Sequence, residues 1–228
     1  SQMFIGQKGS IISERSSGGG IPGTKLTDNL YIDSDTGAAA CLETNQASQI
    51  TLEAGQLTYQ SAVSASAGAA PTLVTHMNID ASGAVTMPLQ PAFQVRKSAD
   101  QNNVSASDSV ITVSFDTEVF DVNSDFASNT FTAPVTGKYF LSINAYLGQI
   151  DTAASYILIG IRTSNRDYYR ILDPNFSADV NYYGMNFSVL ADMDASDTAF
   201  IWWQSNGGTA QVDIIAANGT QFQGHLLS

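Results

Sequence analysis

The sequence predicts an all-β protein in two parts, and three observations lead to this prediction. Apolar and mixed residues alternate with a period of two in many short segments, turn residues separate these segments, and no segment beyond residue 90 shows a helical period. Charged residues make up only 13% of the 228 residues, about half the usual share. A series of short strands of this kind is typical of a β-sandwich.

Residues 1–90 contain few aromatic side chains and many small polar ones. Residues 29–42 and 76–89 form a weak repeat, and each is predicted to be a β-hairpin with an Asx-type turn. Residues 49–63 form another hairpin pattern around Ala54 and Gly55. Because thin hairpins bury little surface alone, we predict that residues 1–90 are a shaft or connector of β-hairpins, stabilised by two further copies of the chain.

Residues 91–228 are predicted to form a sandwich-like head domain. The predicted strands are 92–97, 108–115, 117–122, 129–133, 137–147, 155–163, 167–173, 181–190, 197–204, 210–216 and 220–227. In strand 137–147, one face carries Tyr139 and the other carries Phe140 and Tyr146. Aromatic residues on both faces indicate that both faces are covered.

The spacing of several head residues resembles the globular head of complement component 1q and its tumour-necrosis-factor-like relatives. The residues that carry the resemblance are Phe115, Asp121, Phe126, Phe131, Gly137 and Tyr139, with the closing segment 222–227. This resemblance implies a ten-stranded jelly roll that associates as a compact homotrimer. Residues 83–93 are also similar to the junction that leads into such a head in bacteriophage fibre proteins.

A trimer would cover the second face of strand 137–147. Phe140 and Tyr146 are therefore predicted to lie at the trimer interface. Trp202 and Trp203 are neighbours on one strand and must face opposite ways, so one is expected in the core. Trp203 and Tyr169 complete the predicted interface set.

A group of arginine and tyrosine residues between positions 162 and 183 is the predicted receptor site. Exposed tyrosine rings can stack on sugars, and arginine can bind hydroxyl and carboxylate groups. The predicted receptor contacts are Arg166, Tyr168, Phe176, Tyr182 and Tyr183. A subunit interface is the other interpretation of this group and is slightly favoured, because interfaces are also enriched in tyrosine and arginine.

The charge and the few histidines exclude several classes of function. A formal net charge of -12 opposes unselective binding to nucleic acid or to an anionic membrane. No apolar run is long enough to insert into a membrane. The sequence shows no serine or cysteine partner for His76 or His225 and no Gly-x-Ser-x-Gly motif, so no enzymatic activity is predicted.

The acidic segment 192–197 is the one candidate for a metal site. Asp192 and Asp194 are hard oxygen ligands suited to calcium, and the resemblance implies calcium near the trimer apex in relatives of the head. A solvated acidic loop is the simpler interpretation and is favoured. No cofactor is therefore expected to be required.

Together these patterns predict a viral fibre or spike protein, of the bacteriophage type, on the outer surface of the virion. The homotrimer would attach the virion to a glycan or protein receptor on the host cell. Two alternatives stay open. One is a non-viral secreted trimeric scaffold or binding domain, and the other is a tailspike-type glycan depolymerase.

Overall fold

The computed structural model describes residues 2–5, 9–13, 23–32, 38–216 and 219–228, the first two ranges as backbone strands only. The chain divides into two compact units, Ser1–Leu89 and Gln90–Ser228. In the described ranges no helix has the length and apolar character that crossing a membrane requires.

The first unit is built on one antiparallel sheet. Its strands are β1 (Gln2–Ile5), β2 (Gly9–Ser13), β3 (Thr24–Asp28), β4 (Leu30–Ile32), β5 (Ala39–Cys41), β6 (Asn45–Glu53), β7 (Gln56–Ala65), β8 (Val74–Ile79) and β9 (Val85–Thr86). The sheet order is β1-β2-β3-β6-β7-β8-β9, and β4 pairs with β5 as a separate hairpin. Most neighbours in the sheet are also neighbours in sequence, so short turns fix most of the order.

Local turn chemistry explains the hairpins of this unit. Ala54 and Gly55, between β6 and β7, have φ values of 48° and 78°, which is the left-handed pair that a two-residue hairpin turn requires. The Asp80 carboxylate accepts hydrogen bonds from the backbone N–H groups of Ser82 (2.8 Å) and Ala84 (3.0 Å). This Asx turn joins β8 to β9 as predicted. The turn of the 29–42 hairpin, residues 33–37, lies outside the described residues.

The second unit contains two larger antiparallel sheets. Its elements are β10 (Ala92–Arg96), β11 (Ile111–Thr112), β12 (Thr117–Asp121), a short 3₁₀ helix (Val122–Ser124), β13 (Phe126–Ala127), β14 (Thr130–Thr132), β15 (Gly137–Ile150), β16 (Ala154–Thr163), β17 (Asp167–Leu172), β18 (Val180–Met193), β19 (Thr198–Gly207), β20 (Asp213–Ile214) and β21 (Gln221–Leu226). The first sheet has the order β12-β10-β21-β15-β18, and the second has the order β13-β14-β19-β16-β17. Each predicted strand of the head overlaps one of these strands.

The strand pairing is that of a jelly roll. The eight strands that form it are, in chain order, β10, β14, β15, β16, β17, β18, β19 and β21. The first of these pairs with the last (β10 with β21), and the second pairs with the seventh (β14 with β19). The third pairs with the sixth (β15 with β18), and the fourth pairs with the fifth (β16 with β17). This nested pairing, with the ribbon folded into two sheets, defines the jelly-roll sandwich. The predicted jelly-roll sandwich of the head is therefore confirmed, and its association as a trimer stays a prediction.

The core of the head lies between the two sheets. Tyr139, Leu141 and Ile143 of β15 are fully buried, and they point into the sandwich. At one side of the core, the ring of Phe93 stacks on the ring of Phe131 with 4.6 Å between centroids. Aromatic pairs at this distance add to the stability that burial alone provides.

The prediction that Trp203 lies at a trimer interface is wrong. Trp203 is fully buried and belongs to the hydrophobic core of the head. Trp202 is the tryptophan on the outer side of the second sheet, where the Arg162 guanidinium lies 5.2 Å from the centroid of its ring. Period-two alternation separates the two tryptophans but does not say which one points inward, because the pairing of β19 with β16 decides this.

Candidate binding surfaces

The outer side of the first head sheet carries few charged side chains. We call its outward side chains in β10, β15, β18 and β21 the uncharged face: Gln94, Phe140, Ser142, Asn144, Tyr146, Asn186, Ser188, Leu190, Gln221, Gln223 and His225. None of these is Asp, Glu, Lys or Arg, but the remaining outward residue at the end of β10, Arg96, is charged and lies beside Gln221. Charged groups lie at its margin, where Lys138 forms an ion pair with Asp192.

Side chains on the uncharged face are aligned by contacts within the chain. The Gln94 Nε2 atom donates hydrogen bonds to the side-chain oxygens of Gln221 (2.9 Å) and Gln223 (2.8 Å). The rings of Phe140 and His225 lie 5.4 Å apart, and Leu190 beside them is 62% exposed. The face therefore presents ordered amides together with apolar surface, which is the composition of the centre of many protein interfaces.

Three loops meet at one end of the sandwich, which we call the loop end: 151–153, 173–179 and 208–212. The Asp151 carboxylate is buried and accepts hydrogen bonds from the backbone N–H groups of Thr209 (2.5 Å) and Ala153 (2.7 Å). The Asp179 carboxylate accepts hydrogen bonds from the Thr152 hydroxyl (2.8 Å) and the Gln211 amide (3.0 Å). Two carboxylates thus join the three loops into one platform.

The Asp151 carboxylate makes the stability of the loop end dependent on pH. The backbone N–H group of Thr209 holds the pKa of Asp151 below its ordinary value, although burial acts in the opposite direction. A lowered folded-state pKa adds stability above the ordinary carboxyl pKa, and this stability is lost as pH falls through the folded-state pKa.

We expect Asp151→Asn to lower the melting temperature at pH 7, because the variant replaces an acceptor-only carboxylate by an amide. The difference from the wild type should shrink as pH falls below the ordinary carboxyl range, since the wild type then loses the same charge. Thermal melts at several pH values measure this difference. Asp173→Asn, an exposed carboxylate in the neighbouring loop, is the control. A pH-independent difference would contradict the expectation.

Aromatic residues surround the loop end. Tyr182 is 65% exposed, and its ring lies 5.6 Å from that of Tyr146 on the uncharged face. Tyr183 points the other way and packs on the core, with the Phe176 ring 6.0 Å from its own. One predicted receptor residue, Tyr182, and one predicted interface residue, Tyr146, are thus in contact.

The structure does not bring the predicted receptor residues together. Phe176, Tyr182 and Tyr183 lie at the loop end, whereas Arg166 belongs to the turn between β16 and β17 at the opposite end. The Arg166 guanidinium lies 6.0 Å from the centroid of the Tyr168 ring. The clustering of these residues in sequence arises because β17 runs along the sandwich between its two ends.

Two predicted interface residues also lie on different sheets. Tyr169 is on the outer side of the second sheet, where its ring lies 6.1 Å from that of Trp202. Phe140, in contrast, lies on the uncharged face of the first sheet. A single flat contact with a partner cannot include both residues.

The predicted calcium ligands, Asp192 and Asp194, have other partners. Asp192 pairs with Lys138, and the Asp194 carboxylate lies 3.5 Å from the Thr136 hydroxyl. The third carboxylate of the segment, Asp197, accepts a hydrogen bond from the backbone N–H group of Asp194 (2.8 Å). Within the described ranges, no group of three or more His, Cys, Asp or Glu side chains is arranged to hold a metal ion.

One polar pair in the first unit was not foreseen from the sequence. The Ser61 hydroxyl lies 2.7 Å from His76 Nε2, and the His76 ring lies 5.6 Å from that of Tyr59. The pairing between β7 and β8 is irregular at this point, which turns His76 towards Ser61. A serine and a histidine fifteen positions apart carry no sequence motif, so only the register of the two strands could have revealed the contact.

The fold and the surfaces together define a jelly-roll sandwich with one uncharged sheet face and one aromatic loop end. No protein-family model matches the sequence, and no curated protein sequence matches it significantly. Among solved structures, the globular domain of the zebrafish complement 1qA protein is similar, with 16% identity and a TM-score of 0.43 over 61% of this chain and 98% of that one. Murine APRIL is also similar, with 12% identity and a TM-score of 0.44 over 60% of this chain and 99% of that one.

Proposed function

We propose that the chain is a non-enzymatic attachment protein whose head assembles as a homotrimer and binds a receptor on a cell surface. The uncharged face is the observation that carries this proposal. A head with a large, ordered sheet face that carries few charges has a surface suited to burial against a protein, and three-fold symmetry can bring further copies of the same chain to it.

The charge of the chain supports this choice of partner. Each chain has a formal net charge of -12, so copies repel one another over most of their surface. The uncharged face is a region where they can approach without placing like charges in contact. Phe140 and Tyr146 are the proposed aromatic contacts of the interface, because both are half-buried already and point outward.

The loop end is the proposed receptor-binding site. The chain enters the head at β10, and the Ala92 end of β10 lies beside His225 and Phe140, at the opposite end of the sandwich from the loops. Loops can vary without disturbing a core, and Asp151 and Asp179 hold these loops in fixed positions. Phe176 and Tyr182 supply exposed rings that suit a glycan or a protein surface. No cofactor is needed for such binding.

We propose further that this head belongs to a fibre or spike on a virion and acts outside the host cell. The first unit supports this assignment, because it is a sheet of short hairpins that leads directly into the head. A collagen-like stalk would place a Gly-x-y repeat directly before such a head, whereas residues 1–89 of this chain form the strands of the first unit there.

Replacing Tyr182 by Ala is expected to weaken attachment of the purified protein to host cells at least about tenfold, because loss of one exposed ring is multiplied over three linked sites. Binding is measured by flow cytometry with the labelled protein over a panel of candidate host cells. Tyr169→Ala is the matched control, since Tyr169 is also more than half exposed but lies on the second sheet. Equal binding by the wild type and Tyr182→Ala would place the receptor site elsewhere.

A further inference from the structure

The sheet of the first unit exposes its apolar side. Residues opposite each other on neighbouring strands point to the same side of a sheet. The register aligns Leu26, Ile50 and Tyr59 in one row and Leu52, Leu57 and Ile79 in the next. These six side chains, which we call the apolar face, remain accessible, with Leu26 at 48% and Leu52 at 50% exposure.

The other side of the same sheet is polar and partly buried, and its side chains bond to one another, although Gln49 Oε1 and Thr51 Oγ1 are buried without a hydrogen-bond partner. Gln49 is buried, and its Nε2 atom donates a hydrogen bond to Gln60 Oε1 (2.7 Å). In the neighbouring row, the Thr58 hydroxyl bonds to Asn78 Oδ1 (2.9 Å). A sheet in a soluble protein usually buries its apolar side and exposes its polar side. This sheet does the opposite. An exposed apolar area of this kind marks an interaction surface.

We propose that the apolar face is buried against the same face of two other copies of this chain. This inference rests on the homotrimer proposed above and extends it to the first unit. The six side chains carry no charge, although the chain as a whole has a net charge of -12, and Asp28, in the row beside Leu26 and Ile50, is the acidic residue next to them on this side of the sheet. Another copy of the chain is therefore a partner that this face, unlike most of the surface, does not repel.

The connection to the head makes such contact favourable. Only residues 87–91 separate β9 from β10, and a segment of that length spans at most roughly 20 Å. A trimeric head would therefore hold three first units close together, at an effective concentration on the order of millimolar. An apolar contact too weak to form between free chains then becomes stable, because most of the entropy of association is already lost when the heads assemble.

Thiol labelling of the full-length protein tests this inference. In a Cys41→Ala background, Leu52→Cys places a thiol on the apolar face, and Tyr31→Cys places one on the β4–β5 hairpin, where Tyr31 is 40% exposed. We expect a maleimide to react at position 52 at least about tenfold more slowly than at position 31, since covered sites react only after local opening. The mass of each sample is measured by light scattering.

The mass and the labelling rate separate the two proposals. A trimer that labels equally fast at both positions would overturn the inference and leave the head trimer intact. A monomer would overturn both.

In a chain that also carries Phe140→Asp, which should dissociate the head, position 52 should become as reactive as position 31. Slow labelling in that monomer would show that the chain covers its own apolar face. Fast labelling that becomes slow only when host-cell envelopes or lipid vesicles are added would assign the face to those partners. Either of these last two results would overturn the inference.

Discussion

Phe140→Asp is expected to convert a particle of three chains into single chains. Phe140 lies at the centre of a row on the uncharged face, with Leu190 opposite on β18 and His225 opposite on β21. In a symmetric trimer the substitution would bring three new carboxylates into an interface of low dielectric constant. Each buried and unpaired charge costs several kcal/mol, so the assembly should not survive at micromolar concentration.

Light scattering measures this change directly, because the mass should fall from three times 24.2 kDa to 24.2 kDa. Val135→Asp is the control, since Val135 is 45% exposed and lies in the turn before β15, off the uncharged face. Circular dichroism shows whether each variant keeps its strands. A folded Phe140→Asp variant that remains trimeric would show that the uncharged face does not form the trimer interface.

Gly160→Ala is expected to destabilise the head by about 3 kcal/mol, near the upper end for overpacking. A Cβ atom at position 160 would lie 2.3 Å from Nε1 and 2.4 Å from Cε2 of Trp202. The Trp202 indole is buried against β16 and flanked by Arg162 and Tyr169. It must therefore move as a rigid body and lose these contacts.

Gly184→Ala is the matched control, because nothing lies within 4 Å of a Cβ atom at that position of β18. The free energy of unfolding of that variant should be unchanged or slightly higher, since alanine restricts the unfolded chain more than glycine does. Denaturant unfolding followed by tryptophan fluorescence measures both variants. Equal stability of the two would mean that Trp202 does not lie flat on Gly160.

The predictable part of this structure is the part that depends on local sequence. Alternation and turn residues located the strands, and the hairpin around Ala54 and Gly55 is among those predicted from them. The inward direction of Trp203 and the contact between Ser61 and His76 did not follow. Both depend on the register between strands that are distant in sequence, and a shift of one residue reverses the side that each side chain faces.

The candidate sites show the same limit. Tyr182 and Arg166 are close in sequence and were assigned to one receptor site, yet β17 and the loop after it place them at opposite ends of the sandwich. The low number of charges on the first sheet's outer side was also not visible in the sequence, because its residues come from four separate strands. Only the pairing of those strands assembles them into one surface.

The position of β21 has a consequence for synthesis of the protein. This strand is the last of the sandwich in sequence, yet it lies inside the first sheet between β10 and β15. Gln94 and Gln223, which bond across the pair β10–β21, are 129 positions apart. At about 5–20 residues per second, a ribosome needs roughly 6 to 26 s to make that interval. Until then the nascent head cannot close its first sheet, so we expect the uncharged face to form, and chains to find one another, only after β21 has left the ribosome.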